Sequence, residues 1–448
     1  MSELFLVPEL IVLIAIVFMS AQFQALSLKT PNVLQVMFWT HVLAQFIPSL
    51  ILAHEVNTES SRTFVTNAAI ASLMIPFGGQ LANLFGTNKN KNSIYTMPLD
   101  NSHHQKIASK KFHILLFAFC GIVFVTYVLR APFIPLLELF SASADFVVHN
   151  LERREASSLG LIYGISLRFF MPLLFILSVV SYSYYRPISL KYLILIGIMM
   201  SLLYNAWPGS KTPVAMLFIL VFFTQLIRKN SLSTLNRKQL QNANRSPIIK
   251  FVKKYLLLLI ILGLVLGYPL LIYMVKPVGQ LGFAHVFEQV VLRIFLKPAE
   301  NNFAAYELFS YTAFTQFADI RFIAEFLGLS PISLSKEIAV FRGFGDFTNS
   351  PPTAIGTFYA QGGDTVVYLG FLFASFIYKF AENLIRGNAS ITPFVISIYS
   401  ILMFAAFRFS WANFHTLLFT EIFGPMLLVS IVWYFLRPSK MQVYAYSH

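Results

Sequence analysis

Arg168, Lys211 and Arg408 are basic residues set within or at the ends of long apolar runs, Glu421 is an acidic one in another, and Arg293 and Arg342 lie in the segment 276–364. Arg168 stands roughly nine residues into such a run, which at 1.5 Å per residue is about 14 Å from its start. An arginine that deep in a bilayer costs at least ~2.5 kcal/mol in insertion assays, so it is paired, faces a cavity or has a function. Two readings stay open. Glu421 neutralises one of the arginines as a structural pair, or cations from several distant segments gather to hold an anion. Guanidinium groups grip phosphate oxygens in bidentate fashion, and cations beside lipid with no nucleotide motif in the chain point to a lipid diphosphate.

A second set of polar residues lies in LGFAHVFEQVVLRIFLKP, where His285, Gln289, Arg293 and Lys297 recur every four residues and share one helical face. Glu288 lies within one turn of His285. This stripe reads either as an amphipathic helix in the headgroup region or as the wall of a substrate cleft. Arg321 and Glu325, also four apart, read as a solvated helix pair. The stretch RGFGDFTNSPPTAIGTFYAQGGD, residues 342–364, carries so many glycines and prolines that a regular helix is not expected there. So close to a membrane it must pack in protein or line a wet cavity.

The elements that position these residues follow from composition. Of 448 residues, 57% are hydrophobic and only 12% charged, about half the charge of a soluble domain, and the mean hydropathy is +0.68. This is an all-α polytopic membrane protein. Eleven apolar runs are expected as spans, at 4–27, 32–54, 64–86, 113–130, 159–181, 190–207, 214–227, 255–275, 365–384, 391–409 and 416–436. Most Lys and Arg fall in the odd-numbered loops and the C-terminal tail, so those face the cytoplasm and the N-terminus lies outside. The net charge of +14 is then a topology signal and a contact with anionic lipid, not a nucleic-acid surface. The chain divides into spans 1–8 (1–275), a large helical extracytoplasmic segment (276–364) and spans 9–11 with the tail (365–448). Within 276–364 acidic residues outnumber basic ones, so anion binding there needs local clustering.

Several chemistries are not represented. The GSKT of residues 209–212 lacks phosphate-loop spacing, and no metal-ligand spacing or GxSxG nucleophile motif occurs. Neither a metal nor a cofactor is expected. The single cysteine, Cys120, sits in an apolar run.

The residues Pro352-Thr353-Ala354-Ile355-Gly356, Phe358-Tyr359 and Gly362-Gly363, followed by VVYLGFLFASFIYKF, resemble the O-antigen polymerase (Wzy) family of oligosaccharide repeat unit polymerases. Gly209-Ser210-Lys211 is similar to the Gly-Ser-Arg that the family often has, with Lys supplying a point charge where Arg supplies a fork. The resemblance implies a GT-C-like glycosyltransferase of the bacterial inner membrane, with a periplasmic N-terminus and a cytoplasmic C-terminus. It would move a growing glycan from undecaprenyl diphosphate to the non-reducing end of an incoming lipid-linked repeat unit. It further implies Arg168, Lys211, Arg293, Arg342 and Arg408 as groups for the departing diphosphate, His285 or Glu288 as base with Glu421 as an alternative, and Tyr359 as a platform for a sugar ring. The rivals are an O-antigen ligase, which delivers the glycan to lipid A core, and a lipid or solute transporter. Sugar identity, stereochemistry and a chain-length regulator as partner are not legible.

Overall fold

The computed structural model describes residues 6–23, 31–85, 103–130, 160–185, 190–206, 211–232, 296–344, 350–386 and 392–436. Helix is the only regular secondary structure among them. Six helices are long and apolar enough to cross a membrane, and four shorter apolar helices accompany them. These ten fall on ten of the expected runs; the eleventh, 255–275, lies outside the described residues.

The described residues form two compact units. The first contains α1 (Leu6–Phe23), α2 (Val33–Val56), α3 (Glu59–Phe85), three helices of the expected outer segment, α8 (Lys297–Tyr311), α9 (Arg321–Leu327) and α10 (Leu334–Phe341), and the 33-residue α11 (Ala354–Arg386). The second contains α4 (His103–Arg130), α5 (Leu161–Ser181), α6 (Lys191–Ala206), α7 (Lys211–Leu232), α13 (Phe423–Leu436) and most of α12 (Pro393–Arg408). The last residues of α12 and the turns through residue 418 belong to the first unit.

In the first unit α11 lies along α3, and the approach is possible because α3 carries Gly78. A Cβ there would stand 2.1 Å from Ser375 Oγ and 2.2 Å from the Leu372 carbonyl of α11. Gly79 does the same toward Leu34 of α2 and Phe23 of α1, at 2.2 and 3.0 Å. Small residues thus bring backbones together where lipid gives little hydrophobic drive for association. Gly78→Leu is expected to cut the yield of monodisperse protein in detergent several-fold, measured by gel filtration, because the clash is partly with backbone.

Asn32 caps α2 by accepting from the Gln35 N–H, while Gln35 Oε1 accepts from the Asn32 N–H, a reciprocal capping box. A π turn at Val42–Phe46 then loosens the α2 ladder beside the buried Gln45, whose side chain enters a polar network described below. Farther along α11, Lys379 and Glu382 form a buried pair at 2.8 Å with side chains 5% and 1% exposed.

In the second unit α5 packs against α4, α6 and α7. Its Ser178 meets His113 Nε2 of α4 at 3.1 Å, and Trp433 of α13 stacks on Phe394 of α12 at 4.5 Å. Arg168 sits in a π turn of α5 and donates to Glu421 at 2.5 Å.

Candidate functional site in the broken helix

The chain between Gln361 and Asp364 turns on Gly362 and Gly363, which interrupt α11 with non-helical backbone. Gly363 has φ 71° and ψ −158°, a region essentially reserved for glycine. Ala354–Gln361 consequently fold back along the rest of α11. In a straight helix Phe358 and Gly370 would be separated by about 18 Å; here the Phe358 ring lies 2.6 Å from where a Gly370 Cβ would be.

All eight residues of this half-helix are buried, so each side chain has a protein neighbour. Ahead of it, the Thr353 N–H donates to Asn302 Oδ1 of α8 at 2.8 Å, and Asn302 Nδ2 donates to Thr353 Oγ1 at 2.9 Å. The same amide nitrogen donates to Gln45 Oε1 at 2.6 Å, and Gln45 Nε2 donates to the Ser410 carbonyl. Gly356 is the only size that fits against Asn302, whose Oδ1 would lie 2.5 Å from a Cβ there. Thr357 donates to Asn413 Oδ1 at 2.8 Å.

Beyond the break the helix resumes, with Asp364 at its start. Asn67 of α3 donates to Asp364 Oδ1 at 2.7 Å and to the Tyr306 hydroxyl at 3.0 Å, while the Tyr368 hydroxyl donates to Asn67 Oδ1 at 2.7 Å. Burial raises the Tyr306 phenol well above its ordinary value, so it stays protonated. On the other side of the break Gln361, the last residue of the half-helix, donates to both Asp319 oxygens at 3.1 and 3.0 Å. Thr315 adds a longer contact of 3.4 Å to Asp319, and the Thr315 N–H donates to the Ala360 carbonyl at 2.8 Å. His415 Nδ1 stands 4.0 Å from Asp319 Oδ2, with side-chain exposures of 23% and 4%. Burial pushes the Asp319 carboxyl up, opposed by His415 and by the Gln361 amide.

From Asp364 to Arg386 the helix is about 34 Å long at 1.5 Å per residue, enough by itself to cross the roughly 30 Å of hydrocarbon. The carboxylates, amides and phenols described above cluster at the N-terminal end of that length.

The expected residues fall as follows. Arg342 donates to Glu300 at 2.7 Å and to Asn301, and its guanidinium lies 5.1 Å from the Phe344 ring centre. Asn301 in turn donates to the Pro351 carbonyl at 3.1 Å, so Arg342 braces the entrance to the half-helix. Arg168 is paired with Glu421, which fits the structural-pair reading, although 45% of the Arg168 side chain stays exposed. Arg321 and Glu325 are an exposed pair at 2.8 Å, as expected. Arg408 ends α12, ahead of a 3-10 turn at Phe409–Trp411. His285, Glu288 and Arg293 lie outside the described residues, as does the Lys211 side chain.

Two expectations change. The glycine- and proline-rich stretch does form helix from Ala354, because its prolines precede the first turn and Gly356 is fitted to Asn302; only Gly362 and Gly363 break it. Tyr359 does not offer a face to a sugar. Its ring is stacked on Tyr306 at 3.7 Å and 13°, the Phe314 ring meets it edge-on, and it is 9% exposed. Asn67, Asn302, Asp319 and His415 were not singled out in the sequence, where nothing in their spacing ties them to the half-helix.

No family model, curated relative or solved structure matches the chain.

Removing the carboxylate that holds Arg342 tests its bracing role. Glu300→Gln is expected to reproduce most of the loss of thermal stability caused by Arg342→Ala, about 1 kcal/mol for a part-exposed charged pair, read as melting temperature in detergent.

Proposed function

We propose that the chain is a glycosyltransferase that polymerises lipid-linked repeat units at the outer face of the bacterial inner membrane. Eleven spans, a GT-C-like architecture, a periplasmic N-terminus and a cytoplasmic C-terminus belong to the same proposal. The observation that carries it is the half-helix. The residues that resemble the O-antigen polymerase pattern, from Pro352 to Gly363, are those that build the fold-back and its two flanking polar networks.

The chemistry fits an acceptor hydroxyl more directly than it fits the donor. Carboxylate, amide and phenol groups at a membrane boundary are the groups that hydrogen-bond sugars, and transfer requires a proton to be taken from one of their hydroxyls. The leaving undecaprenyl diphosphate needs cations. Arg168, Lys211, Arg293 and Arg408 each remain a candidate, Arg168 because 45% of its side chain stays exposed beside its pair with Glu421, whereas Arg342 is mostly buried against Glu300. The substrates are undecaprenyl-diphosphate-linked oligosaccharides, with no metal and no nucleotide.

A broken helix also favours transport, since transporters bind solutes at such breaks near the bilayer midplane. The helix beyond Gly363, about 34 Å long and able to cross by itself, supports a break at one boundary over a break at the midplane.

Deleting the gene in its source strain is the test. Polymerase loss is expected to leave lipid A core bearing a single repeat unit while the long ladder disappears from a lipopolysaccharide gel. Complete absence of O-antigen would favour the ligase, and an unchanged ladder would overturn the proposal.

A further inference from the structure

One pairing near the break has the form of a base and its orienting group. Asp319 is almost wholly buried, and Gln361 and Thr315 fix it in place. His415 reaches it from a different segment, Asn413–Thr416, and keeps about a quarter of its side chain accessible. A buried carboxylate behind a partly exposed imidazole is the arrangement that sets a ring's orientation and stabilises its protonated form. The 4.0 Å separation is longer than a hydrogen bond, and such contacts commonly tighten only when substrate is bound. The two networks share one scaffold: Gln361 ends the half-helix, and Thr357 of the same half-helix holds Asn413, two residues before His415.

We propose that His415 is the general base that takes the proton from the acceptor sugar hydroxyl, and that Asp319 is its positioning residue. The inference rests on the glycosyl-transfer reading above and assigns within it a role that the sequence had given to His285 or Glu288. In the step, the acceptor oxygen forms a bond to the anomeric carbon of the donor glycan. The bond from that carbon to the diphosphate oxygen breaks, and its electron pair leaves with undecaprenyl diphosphate. The hydroxyl proton passes to the His415 imidazole and from there to water, so charge and atoms balance without any further reactant.

The experiment uses the full chain purified in lipid nanodiscs, with undecaprenyl-diphosphate-linked repeat unit extracted from the deletion strain. Wild-type protein is expected to extend the glycan. His415→Ala should lower kcat by about 100-fold or more, with KM within about threefold and the melting temperature unchanged, and added imidazole should restore part of the turnover. Asp319→Asn, which keeps shape and loses charge, should lower kcat with KM unchanged. His415→Gln provides the same test should the alanine variant fold poorly. Retention of more than a third of wild-type turnover by both His415 variants, or a loss that imidazole does not relieve, overturns the assignment while leaving the polymerase reading standing. Failure of the wild-type protein to extend the glycan overturns that reading and the base with it.

Discussion

Gly363→Val is expected to abolish the polymer ladder and to lower the melting temperature by many degrees. At φ 71° and ψ −158° a β-branched residue is in a region essentially closed to it, at a cost of about 1–3 kcal/mol before any contact is counted. A Cβ there would also stand 3.1 Å from the Phe314 ring, so Phe314, which meets Tyr359 edge-on, must move. The neighbouring Gly362→Ala is the control. Its φ of −177° lies outside the left-handed region, and the obstruction at 2.5 Å is a side-chain methyl of Val366 and not backbone. It should cost noticeably less. Equal melting temperatures for wild type and the Gly363 variant would show that the fold-back does not depend on this residue.

Asn302→Leu is the second large effect. The substitution keeps the number and branching of the side-chain heavy atoms, yet it strands the Thr353 N–H and hydroxyl and the Gln45 carbonyl oxygen, all buried. Each orphaned group costs about 1–3 kcal/mol, which together approaches the whole stability of an ordinary domain. Expression as aggregate, or a melting temperature too low to measure at growth temperature, is the expected result. Asn302→Asp separates polarity from pattern. It keeps the acceptor for the Thr353 N–H and loses the donor to Gln45, so it should be intermediate. A leucine variant that melts like wild type would mean that this network is not structural.

The spans were legible because hydrocarbon imposes a simple rule on composition, and ten of the expected runs coincide with apolar helices. The Gly362-Gly363 break was legible as a disruption, but not its shape. Whether a chain with that many breakers is loop or folded-back helix depends on what surrounds it, and the surroundings come from α3, α8 and the turns after α12. Arg168 and Glu421 could be named from the sequence because charge in an apolar run is conspicuous. Asn67 and Asn302 could not, since an asparagine within a helix is unremarkable until partners 239 to 297 or 257 positions away are known. His415 and Asp319 escaped for the same reason: no local spacing relates them.

The amide of Gln45 has an implication for how the polypeptide is made. Its two partners, Asn302 and Ser410, are 257 and 365 positions downstream, so for most of translation an early transmembrane segment has been threaded into lipid with its polar group unanswered. That segment must wait at the insertion machinery, or rest beside another polar surface, until the ribosome has delivered residue 410. Nascent chains halted before that point should be cleared by membrane quality-control proteases far faster than those released just after it.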